Sequence, residues 1–171
     1  MKKKKKRKNP WYKICMDHHL YTLVLRFLTI RSRSEKEVTD YLQKKKASEE
    51  QIRLILSKLR EQKFVNDEKF AQAWIEQRMR LKPKGWYVLK LELQQKGIAD
   101  DIIARCELHM KTRGFEGKSE KELAMELVQK RIKKYQGLPR EEVYRKLGGF
   151  LARRGFAIDT IKACIDGILK K

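Results

Sequence analysis

Apolar residues recur every three or four positions along most of this chain, as a helix face requires. Leu20, Leu23, Val24, Phe27 and Leu28 form the first stripe. Ser34 followed by Glu37 is a capping-box signature, in which the hydroxyl accepts a backbone N–H and the carboxylate reaches back. It predicts a helix to about Lys45 that buries Val38, Tyr41 and Leu42. Ser48 with Gln51 is a second box, opening a helix with Ile52, Ile55, Leu56 and Leu59 on one face. Asn66, Asp67 and Glu68 suit a helix start by capping and by dipole. The stripe expected behind them is Phe70, Ala73, Trp74 and Leu81, ended by Lys82-Pro83-Lys84-Gly85. Trp86, Leu89 and Leu93 predict the next helix, stopping at Gly97, and Ile102, Ile103 and Cys106 begin another. Residues 112–118 (TRGFEGK) read as the most flexible link. Ser119 with Glu122 is a third box, before Leu123, Leu127, Val128 and Ile132. Pro139 suits a first helical turn, and Val143, Leu147, Phe150 and Leu151 run to a stop at Gly155. The last helix is expected to use Ile158, Ile161, Ile165, Ile168 and Leu169.

Aligned by their second helices, the segments repeat. YLQKKKASEEQI, ELQQKGIADDI and FLARRGFAIDTI superpose Leu42, Leu93 and Leu151, the stops Lys46, Gly97 and Gly155, and the apolar plugs Ala47, Ile98 and Phe156. Ile52, Ile102 and Ile161 then open the third helices, with one residue fewer in the middle unit. The fold expected is all-α: three tandem three-helix repeats in an elongated, curved array. The units are placed at 20–65, 66–112 and 119–171, after a basic arm and lead-in over 1–19, expected to be partly disordered. The stretch Asn66 to Ile103 is the middle unit.

Charge changes the picture. Lys plus Arg is 43 against 22 for Asp plus Glu, a formal net charge of +21. Lys2 to Lys8 supply seven of those charges, leaving about +14 for the rest. Such a field favours a polyanion, whether nucleic acid, anionic membrane or acidic protein surface. Cys15, Cys106 and Cys164 are isolated, and with His18, His19 and His109 they do not group into a metal site. Buried or idle thiols in a reducing cytosol are expected. The basic start runs into Asn9, Pro10 and Trp11 and does not read as a secretory signal. Leu20 to Ile30 contains Arg26 and is too short for a membrane span. Neither a phosphate-binding glycine loop nor a nucleophile–base constellation is present in the pattern, so no catalytic residue and no cofactor are expected. Trp74 and Trp86 read as core, and Tyr87 as an exposed ring among lysines.

SRSEKEVTDYLQKKKASEEQI, NDEKFAQAWIEQRMR, LELQQKGIADDII and REEVYRKLGGFLARRGF, in this order, resemble the RecX family of bacterial regulators of the RecA recombinase. The resemblance runs from about Leu20 to the C-terminus. It implies three three-helix repeats, no enzymatic activity, and action on the RecA filament on single-stranded DNA. There, members limit ATP hydrolysis, strand exchange and repressor cleavage, in DNA repair and SOS control. A cytoplasmic monomer is the corresponding expectation. The sequence departs from the family at Lys46 and Ala47, where glycine and a larger apolar residue are common, so the first unit is expected to turn differently or pack more loosely. Trp86-Tyr87-Val88 also occupies a stretch richer in arginine in many members. The candidate contact residues are Arg78, Arg80, Lys82, Lys84, Tyr87 and Lys90. The competing expectation is a general basic nucleic-acid-binding or architectural protein, resting on charge alone. A pure protein scaffold is the third.

Overall fold

The computed structural model describes residues 10–169, with side chains from residue 18 onward. The polybasic arm before Pro10 and the thiol of Cys15 lie outside the described residues. The helices are α1 (Pro10–Ile30), α2 (Glu35–Lys44), α3 (Glu49–Glu61), α4 (Asp67–Leu81), α5 (Trp86–Gln95), α6 (Asp100–Arg113), α7 (Glu120–Ile132), α8 (Arg140–Arg153) and α9 (Ile158–Leu169). A 3₁₀ turn, Lys133–Tyr135, follows α7. α1 begins at Pro10, so the helix extends back through the lead-in ahead of the Leu20 stripe.

The chain divides into two compact units, Met1–Phe70 and Ala71–Lys171. In the first, Leu20, Val24, Val38, Leu42, Ile52, Ile55, Leu56, Leu59 and Val65 form one buried cluster. Its helix starts are built as the sequence predicts. Ser34 and Ser48 each accept the N–H three residues on, while Glu37 and Gln51 close the boxes. Ser34 is fully buried, and Arg31 holds Glu37 through two bonds at 2.8 and 3.0 Å. Asn66 caps α4 by accepting the Lys69 N–H at 2.8 Å. Asp67 accepts the Glu35 N–H at 2.8 Å, and Arg60 clasps the Glu35 carboxylate. In the second unit, Ala124, Val128, Val143, Leu147, Leu151, Phe156, Ile161, Cys164 and Ile165 form another cluster. Ser119 and Glu122 complete the third box.

Three helix ends share one turn. The N–H groups of Ala47, Ile98 and Phe156 donate to the carbonyls of Leu42, Leu93 and Leu151 at 3.1, 3.1 and 3.3 Å. Those of Lys46, Gly97 and Gly155 donate to Gln43, Gln94 and Ala152 at 2.8, 2.9 and 2.9 Å. These are the two bonds of a Schellman motif. All three leucines are fully buried. Lys46 adopts φ 59°, beside 75° and 82° for the two glycines. The first unit therefore turns as the others do, contrary to expectation, and Ala47 still packs half-buried on its core. The capping bonds come from backbone groups that lysine also has, so the sequence difference appears as backbone strain rather than a new turn. A left-handed lysine costs about 1–2 kcal/mol, against about 0.5–1 kcal/mol of extra chain entropy lost by glycine. Lys46→Gly is therefore expected to stabilise the protein by roughly 0.5–1 kcal/mol, read as a higher urea midpoint at unchanged slope. A lower midpoint would contradict this.

Four sequence expectations need correction. The middle unit has no missing residue: Ile103, not Ile102, matches Ile52 and Ile161. All three are buried five positions after the plug, and their N–H groups bond to Ala99, Ser48 and Ala157 respectively. The adjacent isoleucines hid the phase. In α4 the buried face is Phe70, Ala71, Ile75 and Met79, while Ala73 and Leu81 are exposed. Trp74 drew the predicted stripe one position off because its indole N–H is turned to a carboxylate. Ile158 is 69% exposed at the start of α9, and the core is entered at Ile161. Pro139 stands one residue earlier than expected, as the N-cap of α8. Cys106 and Cys164, each three residues after the entering isoleucine, occupy the place of Ile55. Burial pushes the Cys164 thiol up, which suits a packing role rather than a reactive one.

Candidate functional site

The six candidates lie on the last turns of α4, the link after it and the first turns of α5, all in the second compact unit. The structure sorts them into two sets. Arg78 and Lys84 turn inward to Glu92 on α5. Glu92 Oε2 accepts from Arg78 Nε and from the Trp74 indole N–H, both at 2.9 Å, and Oε1 accepts from Lys84 Nζ. The Arg78 guanidinium lies 4.3 Å from the Trp74 ring centroid and Lys96 Nζ lies 4.9 Å away, so the indole is a half-buried platform between cations. Burial alone would raise the Glu92 carboxyl, but the bonds from Lys84, Trp74 and Arg78 outweigh it and hold the group below the usual carboxylate value. This arrangement fixes the α4–α5 corner.

The outward set is Arg80, Lys82, Tyr87 and Lys90, all exposed. Tyr87 is 67% exposed, as the sequence predicts, and Leu91 follows one turn later, also exposed. Arg80 Nε reaches Glu116 at 3.5 Å. Trp86 is half-buried, consistent with a packing role, and its backbone N–H donates to Glu120 Oε1 at 3.1 Å.

The link is held from α8. The Gly85 N–H donates to the Arg154 carbonyl at 2.9 Å, and Arg154 Nη1 donates to the Pro83 carbonyl at 2.9 Å. A Cβ on Gly85 would lie 2.1 Å from the Gly155 oxygen, so the two backbones meet where only glycine fits. Arg154 and Arg131 also flank the Phe150 ring, at 4.7 and 4.2 Å. Sequence periodicity carries no sign of the Glu92 hub or of this meeting. An acidic residue about two turns into a helix, among cations, was the available hint for the first. Among the described residues no group of histidine, cysteine and carboxylate side chains could hold a metal ion, and no helix is long and apolar enough to cross a membrane.

Family models match the chain in three places: "RecX, first three-helix domain" over residues 21–59, the second over 66–106 and the third over 119–165. The regulatory protein RecX of Bacillus subtilis is 35% identical over 148 residues, covering 86% of this chain and 54% of that protein. That of Streptomyces lividans is 33% identical over 135 residues, covering 79% and 69%. The crystal structure of RecX from Lactobacillus salivarius superposes with a TM-score of 0.78 at 28% identity, covering 91% of this chain and 97% of that one. The chain spans about half the length of the Bacillus subtilis and Bacillus pumilus proteins it matches.

Proposed function

The chain belongs to the RecX family, and from that premise we propose that it is a non-enzymatic negative regulator of RecA. In this reading it binds the RecA filament on single-stranded DNA and limits its ATPase, strand exchange and coprotease activities, in DNA repair and control of the SOS response. The observation that carries the reading is the ordered match of all three domain models, together with relatives named as regulatory proteins. Its repeats, set at 20–65, 66–112 and 119–171, act as a cytoplasmic monomer through surface contacts and without a cofactor.

Arg80, Lys82, Tyr87 and Lys90 form the contact surface in this proposal, while Arg78 and Lys84 support it from within through Glu92. A charge reversal at Arg78 would damage the fold as well as the surface. The clean test is Lys82→Glu with Lys90→Glu, since both side chains are exposed. The folded double variant is expected to need about tenfold more protein for half-inhibition of RecA ATPase on single-stranded DNA, a loss of about 1.4 kcal/mol. Unchanged inhibition would remove this surface as a major contact.

The second reading, a general nucleic-acid-binding protein, is favoured by the charge of +21. It requires tight binding to DNA without RecA, with affinity falling steeply as salt rises. Deleting residues 1–9 separates the two. Inhibition of RecA that survives the deletion supports the repeats as the active part, and loss of all activity supports electrostatic DNA binding.

A further inference from the structure

Within the second compact unit, a groove of about 400 Å³ runs between the α4–α5 link, the turn joining α6 to α7, and α7 itself. Its far wall is a tight turn. Phe115 and Lys118 exchange both backbone bonds at 2.9 and 3.0 Å, across Glu116 and Gly117 at φ 51° and 75°. That is the two-residue turn with positive φ at both central positions. Positive groups surround the groove, with Lys82 and Lys130 exposed and Arg154 half-buried beneath the Pro83 carbonyl. Leu81 lines the same groove while 72% exposed, next to half-buried Leu127 and Phe115.

We propose that this groove docks an acidic peptide segment carrying an aliphatic side chain, which packs on Leu81 and Leu127 while its carboxylates meet Lys82, Lys130 and Arg154. Two observations favour a peptide over a nucleic-acid backbone. First, the groove already holds carboxylates against its own cations: Glu116 lies 3.5 Å from Arg80 and Glu126 lies 2.5 Å from Lys118. Those exposed, paired carboxylates interrupt the cationic track that a continuous phosphate chain needs, whereas a peptide places its acids at intervals and avoids them. Second, an exposed leucine offers a sugar-phosphate chain nothing, but burying it against another aliphatic group gives affinity that salt does not screen. The site is a feature of this fold whatever filament the protein regulates, and it can be tested without RecA.

The experiment measures fluorescence anisotropy of three labelled probes with the full chain: a glutamate peptide with a central leucine pair, polyglutamate of equal length, and oligothymidine. At high salt the leucine peptide is expected to bind about tenfold more tightly than polyglutamate, from the buried aliphatic surface. Leu81→Ser should abolish that difference. Lys130→Glu should weaken both peptides more than Arg53→Glu does, an equal charge change on exposed α3. All three positions are exposed, so helicity should be unaltered. The proposal is overturned if Leu81→Ser leaves the leucine peptide unaffected, or if Lys130→Glu reduces oligothymidine binding alone.

Discussion

Gly85→Ala is expected to destabilise the protein by about 3 kcal/mol, through overpacking plus one lost hydrogen bond. The added Cβ would lie 2.1 Å from the Gly155 oxygen and 2.4 Å from the Phe156 nitrogen, both backbone atoms that no rotamer change can move. Relief requires the α4–α5 link to lift from the end of α8, which breaks the Gly85 N–H bond to Arg154 and loosens the Arg154 clasp on Pro83. Gly155→Ala attacks the same meeting from the other side. Its Cβ would lie 2.7 Å from the Val88 nitrogen, on a residue whose φ of +82° already disfavours a side chain. The two substitutions disturb one contact, so the double variant should lose less than the sum of the singles. Urea unfolding checks this. A loss under about 1 kcal/mol for Gly85→Ala would mean that the two backbones do not meet as described.

Glu92→Gln is expected to cost about 2 kcal/mol near neutral pH, because it removes the charge that Arg78 and Lys84 turn inward to meet. The pH dependence has a definite sign. The folded-state carboxyl is held below its ordinary value near 4.5, where the bonds from Lys84, Trp74 and Arg78 outweigh burial. The folded state therefore binds fewer protons than the unfolded state in that window. The stabilisation is fully present above pH 4.5 and is lost as pH falls through the folded value. The gap between wild type and Glu92→Gln should close on acidification below that point. A gap constant with pH would show that the variant acts through shape and not charge. Trp74 supplies a local reporter, since its indole N–H donates to the same carboxylate, and its fluorescence should shift when Glu92 is replaced.

Local sequence signals predicted local structure well. Ser34 with Glu37, Ser48 with Gln51 and Ser119 with Glu122 all form the boxes their spacing implies, because both partners lie within one turn. The coincidence of Leu42, Leu93 and Leu151 corresponds to three equal helix ends, since each leucine carbonyl receives the plug residue behind it. Positions where two apolar residues compete were harder. Ile102 and Ile103 are adjacent, and only the phase set by Ile98 selects the second. Trp74 outweighed Ile75 in the stripe because hydrophobic bulk cannot reveal that an indole N–H has a carboxylate partner.

The candidate surface was legible as a place but not as a network. Arg78 and Arg80 stand two residues apart and face opposite fates, one held by Glu92 and one reaching Glu116. That division depends on α5 and on the turn after α6, and neither is implied by the spacing of the cations. Gly85 and Gly155 each read as a local breaker or stop. Their shared purpose is a long-range approach of two backbones, which one sequence does not encode in any local pattern.

The most direct measurement of the regulatory role is RecA ATP turnover on single-stranded DNA, titrated with this protein at low and moderate salt. The prediction is suppression from substoichiometric amounts upward, persisting at the higher salt because the contacts are made by folded repeats and not by charge alone. Turnover unchanged up to equimolar protein, with no binding to the filament, would contradict it.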